Sequence, residues 1–404
     1  MWNLKKILFV SFMSALLMSA CSTSSDIAVE YVEVNGKNIP NIWVEKIQNE
    51  TEIKFTDWFK NIRLIPLEST ENSLIRYTMR TYVGEDYIIV STVSNGVLMF
   101  NAKGKFMRAV APHGGGPGEV TDANRNIFVD EKNNKLYITD SQRHRDKLLC
   151  VDIISGKIDY IPYMNTGGEF SIRDIIVLQD SLLYCTTMAM RGSESSNPVF
   201  CQTTSGKLLW ELQKTHPLGL TNAGISLVNG KIYFKYVFAG DTTYQLLEKD
   251  LIPVAMVSVD KPRSFPEKEV GSVYVGMNPI TDNYFKGSFF YVEALKVDEQ
   301  SGRVRETMSD RQDFIFNKES GKAELIGQIQ NDYFGFDEKF YLQFHYNGKG
   351  VASYQALDLL EMADSVVNLP DISKELKSRL ENILQTVDEN DNPYLLVGRL
   401  KSSL

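Results

Sequence analysis

The chain has 404 residues, of which 43% are hydrophobic, enough to bury a large core. Its formal net charge of -8 argues against a nucleic-acid-binding protein, because such proteins need a basic face. The 19 tyrosines, 21 phenylalanines and 27 glycines favour β-structure, since aromatic residues suit pleated, half-buried surfaces.

The first twenty residues have the layout of a secretory signal. Lys5 and Lys6 precede an uncharged apolar run over residues 7–18, and Cys21 follows two small residues. This run is shorter than the roughly 20 residues that span a bilayer. The sequence before Cys21 resembles the lipobox of bacterial lipoproteins, which implies that residues 1–20 are removed and Cys21 is acylated. We therefore predict a cell-envelope protein anchored by lipid to the outer membrane, facing the periplasm or the exterior. The alternative is a soluble secreted protein.

The next segment, residues 21–60, predicts a tether with a strand or two that holds the folded domain away from the membrane. Residues 61–67 then alternate in polarity and contain Pro66, which suits an edge strand. We predict that this strand joins the last sheet as its outer strand, so that the folded domain covers residues 61–404.

One motif, a polar turn followed by an aromatic or aliphatic strand, recurs six times. Its equivalent positions are separated by 48, 47, 49, 58 and 50 residues. These positions are Ile89, Tyr137, Tyr184, Tyr233, Tyr291 and Tyr341. Such periods are typical of propeller blades. A β-sandwich does not predict equal periods, and a parallel β-helix needs much shorter ones.

Hairpin turns follow most copies of the motif, and a short alternating strand follows each turn. Their glycines, which supply the positive φ of tight hairpins, are Gly104, Gly156, Gly206 and Gly321. Each repeat therefore predicts a four-stranded antiparallel meander that must stack on its neighbours to bury both faces. We predict an all-β fold, a six-bladed β-propeller of four-stranded blades, with a short C-terminal helix over residues 371–386 and a final strand over residues 394–400.

Three stretches, residues 63–69, 113–119 and 388–393, resemble the six-bladed β-propeller lipoproteins of Bacteroidota. The resemblance implies the propeller fold and an envelope location, and it carries over no catalytic residues.

Two local motifs have structural interpretations. The glycine-rich loop 113–119 could cradle a phosphate or an oxyanion, but it lacks the following helix or nucleophile elbow that such sites use. We interpret it as a crossing between blades one and two. Residues 388–392 resemble the start of a calcium loop, but Pro393 stands where that loop needs glycine, so a solvated turn is predicted. No cofactor is predicted.

The histidines and cysteines give weak signals. No two of the four histidines, His113, His144, His216 and His345, have metal-pair spacing, so no metal site is predicted, although a propeller can bring distant histidines together. Cys185 and Cys201 are placed symmetrically about Ser193, and this symmetry predicts that they face each other across a hairpin, within reach of a disulfide.

The sequence feature that bears most on function is the set of polar residues at one fixed position relative to each repeat. About ten residues before each repeat position, the inner strand of a blade should begin at the mouth of the central channel. The residues there are Arg80, Arg125, Arg173, Asn222, Asp282 (or Asn283) and Asp332 (or Asn331). The predicted mouth is thus cationic on one half and carries amides or carboxylates on the other. Because arginine binds carboxylates and sulfates bidentately, this mouth predicts a polar or anionic ligand. The alternative is that these are ordinary loop residues paired with each other.

The leading hypothesis is a lipid-anchored envelope propeller that binds a ligand or an envelope protein, without catalytic residues. One alternative is a propeller enzyme, either a metal-dependent lyase or a carbohydrate-active hydrolase, which would need clustered carboxylates or histidines at the channel mouth. The other is a structural subunit of an outer-membrane complex, which would need an exposed apolar patch.

Overall fold

The computed structural model describes residues 27–121, 126–140, 147–163, 170–179, 181–189, 197–212, 223–236, 241–260, 270–297, 304–336 and 342–401. Over these residues the chain forms six antiparallel sheets arranged as blades around a central axis. The predicted fold class, a six-bladed β-propeller, is confirmed. In these ranges, no helix combines the length and the apolar character needed to cross a membrane.

Blades one to three are four-stranded meanders in which the chain runs from the axis outward. The strands of blade one are Thr78–Val83, Tyr87–Thr92, Val97–Asn101 and Phe106–Ala111. Those of blade two are Ile127–Asp130, Lys135–Ile138, Lys147–Asp152 and Ile158–Pro162. Those of blade three are Phe170–Leu178, Leu182–Ala189, Val199–Thr203 and Leu208–Leu212.

Blades four to six keep this plan with additions. Blade four contains Ala223–Val228, Lys231–Tyr236, Thr242–Leu247 and Asp250–Ser258. Blade five contains Val273–Pro279, Tyr284–Val297, Gln312–Asn317 and Lys322–Gln330, with Val304–Met308 paired to the extended second strand. Blade six contains Gln343–Phe344, Lys349–Tyr354, Tyr394–Leu400 and Phe59–Pro66.

Apolar side chains on both faces of each blade explain the ring. In the second strand of blade one, Ile88 and Val90 pack with Leu395 of blade six. Ile89, between them, points to the other face and packs with Leu136 of blade two. Because successive side chains of a strand alternate between faces, a continuous apolar run indicates a strand buried on both sides.

Residues 29–58 correct the predicted tether over residues 21–60. Strand Val29–Val34 pairs with Lys37–Trp43, which lies parallel to the outer strand of blade four. Strand Glu50–Lys54 lies parallel to the outer strand of blade five. The blade edges offer unpaired backbone groups that these strands satisfy, and Ile42 and Phe55 become fully buried. Residues 21–26, including Cys21, lie outside the described residues.

Two short helical segments complete this N-terminal region, a 3-10 turn at Val44–Lys46 and an α-helical turn at Phe55–Trp58. Asp332 accepts hydrogen bonds from the backbone N–H of Thr56, at 2.9 Å, and from the Thr56 hydroxyl. The carboxylate therefore caps the turn that leads into blade six.

The strand predicted over residues 61–67 is confirmed as the outer strand of the last blade. Strand Phe59–Pro66 pairs antiparallel with Tyr394–Leu400, so the ring is closed by strands from both ends of the domain. Between the second and third strands of blade six the chain forms two helices, Ala356–Val367 and Lys374–Thr386. The second is the predicted helix of residues 371–386, and the Ser373 side chain caps it. The first was not predicted, because it begins directly after a strand without a glycine or proline break.

The ring closure joins two of the stretches that carry the family resemblance. Asn392 is buried; its side-chain Oδ1 accepts from the backbone N–H of Ile75 at 2.7 Å. Its Nδ2 donates to the carbonyls of Glu68 and Ser73 at 2.8 and 2.7 Å, and its backbone N–H donates to Ser69. We call this contact between residues 68–75 and 388–393 the closure clasp. Residues 388–391 form an exposed turn beside it.

The glycine-rich loop 113–119 connects the outer strand of blade one to blade two. The Glu119 carboxylate accepts the backbone N–H of Gly116, and the N–H of Gly118 donates to the Tyr160 hydroxyl of blade two at 2.9 Å. These contacts within the fold support the structural interpretation of the loop.

The predicted disulfide between Cys185 and Cys201 is wrong. The strand register pairs Tyr184 with Cys201 and Cys185 with Phe200. The two cysteines are one position out of register and therefore point to opposite faces of blade three. Both are free and buried, and Cys150 is free.

Candidate ligand site in the central channel

A cavity of about 650 Å³ occupies the centre of the ring, and we call it the channel. Residues from the inner strands of all six blades line it, for example Arg80, Asn126, Arg173, Ser226, Asn278 and Phe344. The volume lies within the range of cavities that hold organic ligands. It far exceeds what a single water molecule or a small inorganic ion requires.

Two of the predicted mouth residues, Arg80 and Arg173, line the channel, and both lie at β-bulges. The register between the first two strands of blade one shifts between Thr78 and Arg80. The register in blade three shifts between Ile172 and Ile175, on either side of Arg173. A bulge re-aims the side chains next to it, and bulges are frequent beside functional sites. In both blades the bulge coincides with a cationic side chain that faces the axis.

The two arginines have different partners. Arg80 is exposed, and its Nε donates to the neutral Asn126 side chain at 3.3 Å. Arg173 Nε lies 3.6 Å from Asp174 Oδ2, with the two side chains 34% and 32% exposed. Burial raises the pKa of the Asp174 carboxyl, and the Arg173 guanidinium partly opposes this effect. The Arg173–Asp174 contact is thus long and open to solvent, so it contributes little to stability.

Lys235 is a cation of the channel lining that the sequence analysis did not identify. It lies in the second strand of blade four directly opposite Gly224, so its side chain reaches the axis over a residue that has none. Its Nζ is 3.4 Å from the Met277 carbonyl, and a side chain at Gly276 would come within 3.3 Å of it. In the described part of the chain, Lys235 forms no salt bridge with a carboxylate. Burial lowers the pKa of Lys235 to about 8, repulsion from Arg173 adds to this, and Asp174 opposes it.

The remaining cations of the channel share one carboxylate. Lys286 Nζ and Arg311 Nε bind the two oxygens of Asp313 at 2.6 and 2.7 Å. The channel lining therefore holds five cationic side chains, whereas Asp174 is the only acidic residue among the described lining residues. The lining of the channel is therefore more positive than the chain as a whole, whose net charge is -8.

A second cavity of about 450 Å³ lies at the other end of the axis, where the inner strands turn into the second strands. We call it the end cavity. Four residues line both the channel and the end cavity, and they form the waist between the two: Leu227, Ile280, His345 and Tyr346.

A column of stacked rings forms one side of the waist. His345 stacks on Tyr82 with centroids 6.0 Å apart, and Tyr82 stacks on Tyr346 at 5.4 Å. Tyr346 in turn stacks on Phe128 at 4.8 Å, and its hydroxyl donates to the Val129 carbonyl at 2.5 Å. The hairpin of blade six thus reaches over the axis and is held by blades one and two.

His345 is neutral in this position. Burial lowers the pKa of its imidazole to about 4, and the nearby Lys349 ammonium adds to the effect. Its two ring nitrogens are shielded from solvent, and neither has a hydrogen-bond partner among the described residues. Nothing in the sequence around His345 shows that this hairpin reaches the axis.

The other predicted mouth residues do not join the arginines. Asp282 lines the end cavity, where it binds Lys231 at 2.8 Å and the Tyr233 hydroxyl at 3.1 Å. Asp332 caps Thr56 and is not part of the channel lining. Arg125 and Asn222 lie outside the described residues. The predicted mouth with cations on one half and acids on the other is therefore wrong for Asp282 and Asp332.

Asp282 and Asp332 were misplaced because the repeat position does not fall at the same point of the blade in blades five and six as in the others. In blades one to four the equivalent positions Ile89, Tyr137, Tyr184 and Tyr233 are each the third residue of the second strand. Tyr291 is the eighth residue of the long second strand of blade five. Tyr341, which lies outside the described residues, precedes the inner strand of blade six. About ten residues before Tyr291 and Tyr341, the chain therefore does not lie at the end of the blade where the mouth was predicted.

Two of the four histidines lie outside the described residues, namely His144 and His216. Of the others, His113 is in the loop between blades one and two and His345 is at the waist. Where the structure describes the chain, no three histidine, cysteine, aspartate or glutamate side chains come together as a metal site would require.

Comparison with known proteins supports the fold. A family profile described as Domain of unknown function (DUF4934) matches residues 38–399. A search of the curated proteins found no match. Among solved structures, the chain is similar to a Bacteroides fragilis protein described as a candidate exported protein, with a TM-score of 0.61 and 16% identity, covering 88% of this chain and 99% of that one.

Two further solved structures are similar to the chain at lower scores. A protein of unknown function from Bacteroides thetaiotaomicron has a TM-score of 0.38 and 12% identity, over 80% of this chain and 78% of that one. An oligogalacturonate lyase in complex with manganese has a TM-score of 0.38 and 9% identity, over 93% and 96%. At such identities a likeness shows the fold alone, and at this TM-score it carries no argument about function.

Proposed function

The chain belongs to the DUF4934 family, and for this member we propose an envelope propeller whose central channel binds an organic anion. Its ligand carries a carboxylate or sulfate group that the cationic lining of the channel recognises. The protein binds this ligand without transforming it.

The observation that supports this proposal is the excess of cationic over acidic side chains in the channel lining. Lys235 is half-buried and forms no salt bridge in the described ranges, although the charge of Asp174 acts on it. Arg80 is exposed, and its described hydrogen bond goes to a neutral amide. Half-buried cations are costly unless an anion pairs with them. A bound carboxylate or sulfate supplies the missing partner, and guanidinium groups bind such anions through two parallel hydrogen bonds.

The proposed location rests on the N-terminal sequence. Residues 1–20 have the layout of a signal, and Cys21 follows as in a lipoprotein. The candidate exported protein of Bacteroides fragilis shares the fold, in agreement with an extracytoplasmic site. We propose that lipid on Cys21 anchors the propeller to the outer membrane; the first described strand, Val29–Val34, begins eight residues later.

The enzyme and structural-subunit alternatives lack a favouring observation among the described residues. Asp174 is the only described acidic residue of the channel lining, whereas a glycosidase uses a pair of carboxylates. Binding explains the same residues without a further group.

The test is calorimetric titration of the mature protein with a charge-matched pair of probes, cyclohexanecarboxylate and the neutral cyclohexanecarboxamide. Cyclohexyl sulfate serves as a second anion. We expect both anions to bind and the amide to bind at least about tenfold more weakly, since each tenfold step is about 1.4 kcal/mol.

Substitutions inside and outside the channel test whether the anions bind there. The double variant Arg80→Met, Arg173→Met should lose at least tenfold in affinity for both anions. Arg63→Met removes an exposed arginine from the outer strand of blade six and should leave the affinity unchanged. The proposal is overturned by equal binding of acid and amide, or by equal effects of the two sets of substitutions.

A further inference from the structure

The waist of the channel contains polar atoms that the fold does not use. Both ring nitrogens of His345 and Oδ1 of Asn347 are shielded from solvent, and none of the three has a hydrogen-bond partner in the described part of the protein. In native proteins most buried polar groups are paired, and an unpaired one calls for an explanation such as a bound group. Asn347 lies beside the waist and lines only the end cavity, whereas His345 lines the channel itself, so the two imidazole nitrogens are the unpaired atoms that a ligand of the channel can use.

This hairpin is otherwise firmly held. The Asn347 Nδ2 group donates to the Val83 carbonyl at 2.9 Å, and Lys349 Nζ donates to the Gly84 carbonyl at 2.7 Å. With Tyr346 bonded to blade two, the backbone positions of His345 and Asn347 are fixed by three side chains. The unpaired atoms are therefore not the result of a loosely placed loop.

The chemistry of these atoms selects their partner. A neutral imidazole has one donor and one acceptor, and Asn347 Oδ1 is an acceptor. An anion could accept only from the imidazole N–H, and a cation could contact only the unprotonated nitrogen. A hydroxyl group both donates and accepts, so hydroxyl groups can satisfy both nitrogens of His345.

The imidazole can present its nitrogens without leaving the ring column. His345 is partly exposed while both nitrogens are shielded, so its exposed surface belongs to its other atoms. A half-turn about the Cβ–Cγ bond exchanges each nitrogen with a ring carbon and keeps the ring plane. The stacking on Tyr82, whose ring plane is within 7° of that of His345, is retained.

The hydroxyl-matching atoms lie close to the cationic ones. Arg80 and Tyr82 are two residues apart on the inner strand of blade one, about 7 Å, and point to the same face. His345 stacks on Tyr82 at 6.0 Å and lines the same cavity as Arg80, Arg173 and Lys235. One small organic molecule can therefore reach both groups.

We infer that the ligand of the channel is a hydroxyl-bearing organic acid of the uronic acid class, with its acid group at the cations and a hydroxyl group at His345. This inference rests on the proposed function and narrows it. Simple inorganic anions and apolar acids satisfy only the cationic half of the site.

The test compares D-glucuronate with cyclohexanecarboxylate, which has the same ring size and the same acid group but no hydroxyls. We expect calorimetry to show at least about tenfold tighter binding of glucuronate, since a site built for hydroxyls discriminates against analogues that lack them. His345→Phe keeps a ring on Tyr82 and removes both nitrogens. It should reduce the preference to less than about threefold, chiefly by weakening the binding of glucuronate.

A second measurement avoids substitution. The chain has only four histidines, so the imidazole signals of the mature protein can be assigned one by one in ¹H–¹³C spectra. Glucuronate should shift the His345 signal, and cyclohexanecarboxylate should not.

The outcomes separate the two proposals. If neither acid binds, the proposed function fails. If both acids bind equally, or His345→Phe keeps the preference, or the His345 signal does not respond to glucuronate, the inference on the ligand class fails and the anion site stands.

Discussion

The closure clasp and the waist of the channel both bury asparagine and other polar side chains, but they treat them in opposite ways. At the clasp, Asn392 forms four hydrogen bonds and both polar atoms of its side chain are used. At the waist, His345 leaves both ring nitrogens unpaired among the described residues, and beside it Asn347 leaves Oδ1 unpaired. The difference separates polar groups that hold the ring together from polar groups that are available to a ligand.

The largest expected effect is on the clasp. Asn392→Ala leaves the N–H of Ile75 and two carbonyls without a partner, and each buried unpaired group costs about 1–3 kcal/mol. We expect the free energy of unfolding to fall by about 3–5 kcal/mol in urea denaturation. Asn390→Ala, in the exposed turn beside it, should change it by about 0.5 kcal/mol or less. Similar losses in both variants would contradict the role of the clasp.

The next effect concerns the pH dependence of stability. The pKa of His345 is about 4 in the folded protein, below its ordinary value of 6.5, so the unfolded chain binds more protons between these limits. Stability that is present above pH 6.5 is lost as the pH falls to 4, by at most about 3 kcal/mol. His345→Phe should flatten this part of the profile, whereas His113→Phe should not. A slope that survives in His345→Phe would show that other groups cause it.

A smaller effect is expected on binding, at Lys235. Lys235→Met should weaken binding of cyclohexanecarboxylate by about tenfold, or about 1.4 kcal/mol, through loss of a cation in the channel. Because the pKa of Lys235 is about 8, the wild-type affinity should decline as the pH rises through that value, and the variant should lose this dependence. Lys231→Met, at the other end of the same strand, is the matched control. Equal effects of the two lysines would place the anion elsewhere.

The smallest expected effects on stability concern Asp332 and Asp282, the two acids that the sequence analysis placed at the mouth. Asp332→Ala removes the cap of Thr56 and should destabilise the protein by about 1–2 kcal/mol. Asp282→Ala breaks a largely exposed pair with Lys231 and should cost about 1 kcal/mol or less. Neither should alter the affinity for cyclohexanecarboxylate. A change in affinity in either variant would restore the predicted acidic half of the mouth.

The features that the sequence could predict are those that follow from the regular burial of the blades. The blade number, the closing strand and the second C-terminal helix follow from periodicity, because burial on both faces imposes a regular apolar pattern on every blade. Arg80 and Arg173 were found because blades one to three keep this regular spacing. Blade five has an extended second strand and blade six contains two helices, so counting along the chain loses the phase there.

The parts that sequence missed depend on contacts between distant segments. Nothing local indicates that residues 29–54 pair with blades four and five, since this pairing satisfies edges formed more than 200 residues later. Lys235 reaches the axis because Gly224 lies opposite it and Gly276 faces its amine, a coincidence of three strands. A lysine flanked by aromatic residues in a buried strand, as at residues 233–236, is the signal that could have revealed it.

The most direct measurement of the central claim is a crystal structure of the mature protein grown with D-glucuronate. We predict electron density for the acid in the channel, with its carboxylate within hydrogen-bonding distance of at least one of Arg80, Arg173 and Lys235. Density for the acid only outside the channel, under conditions in which calorimetry shows saturation, would contradict the account.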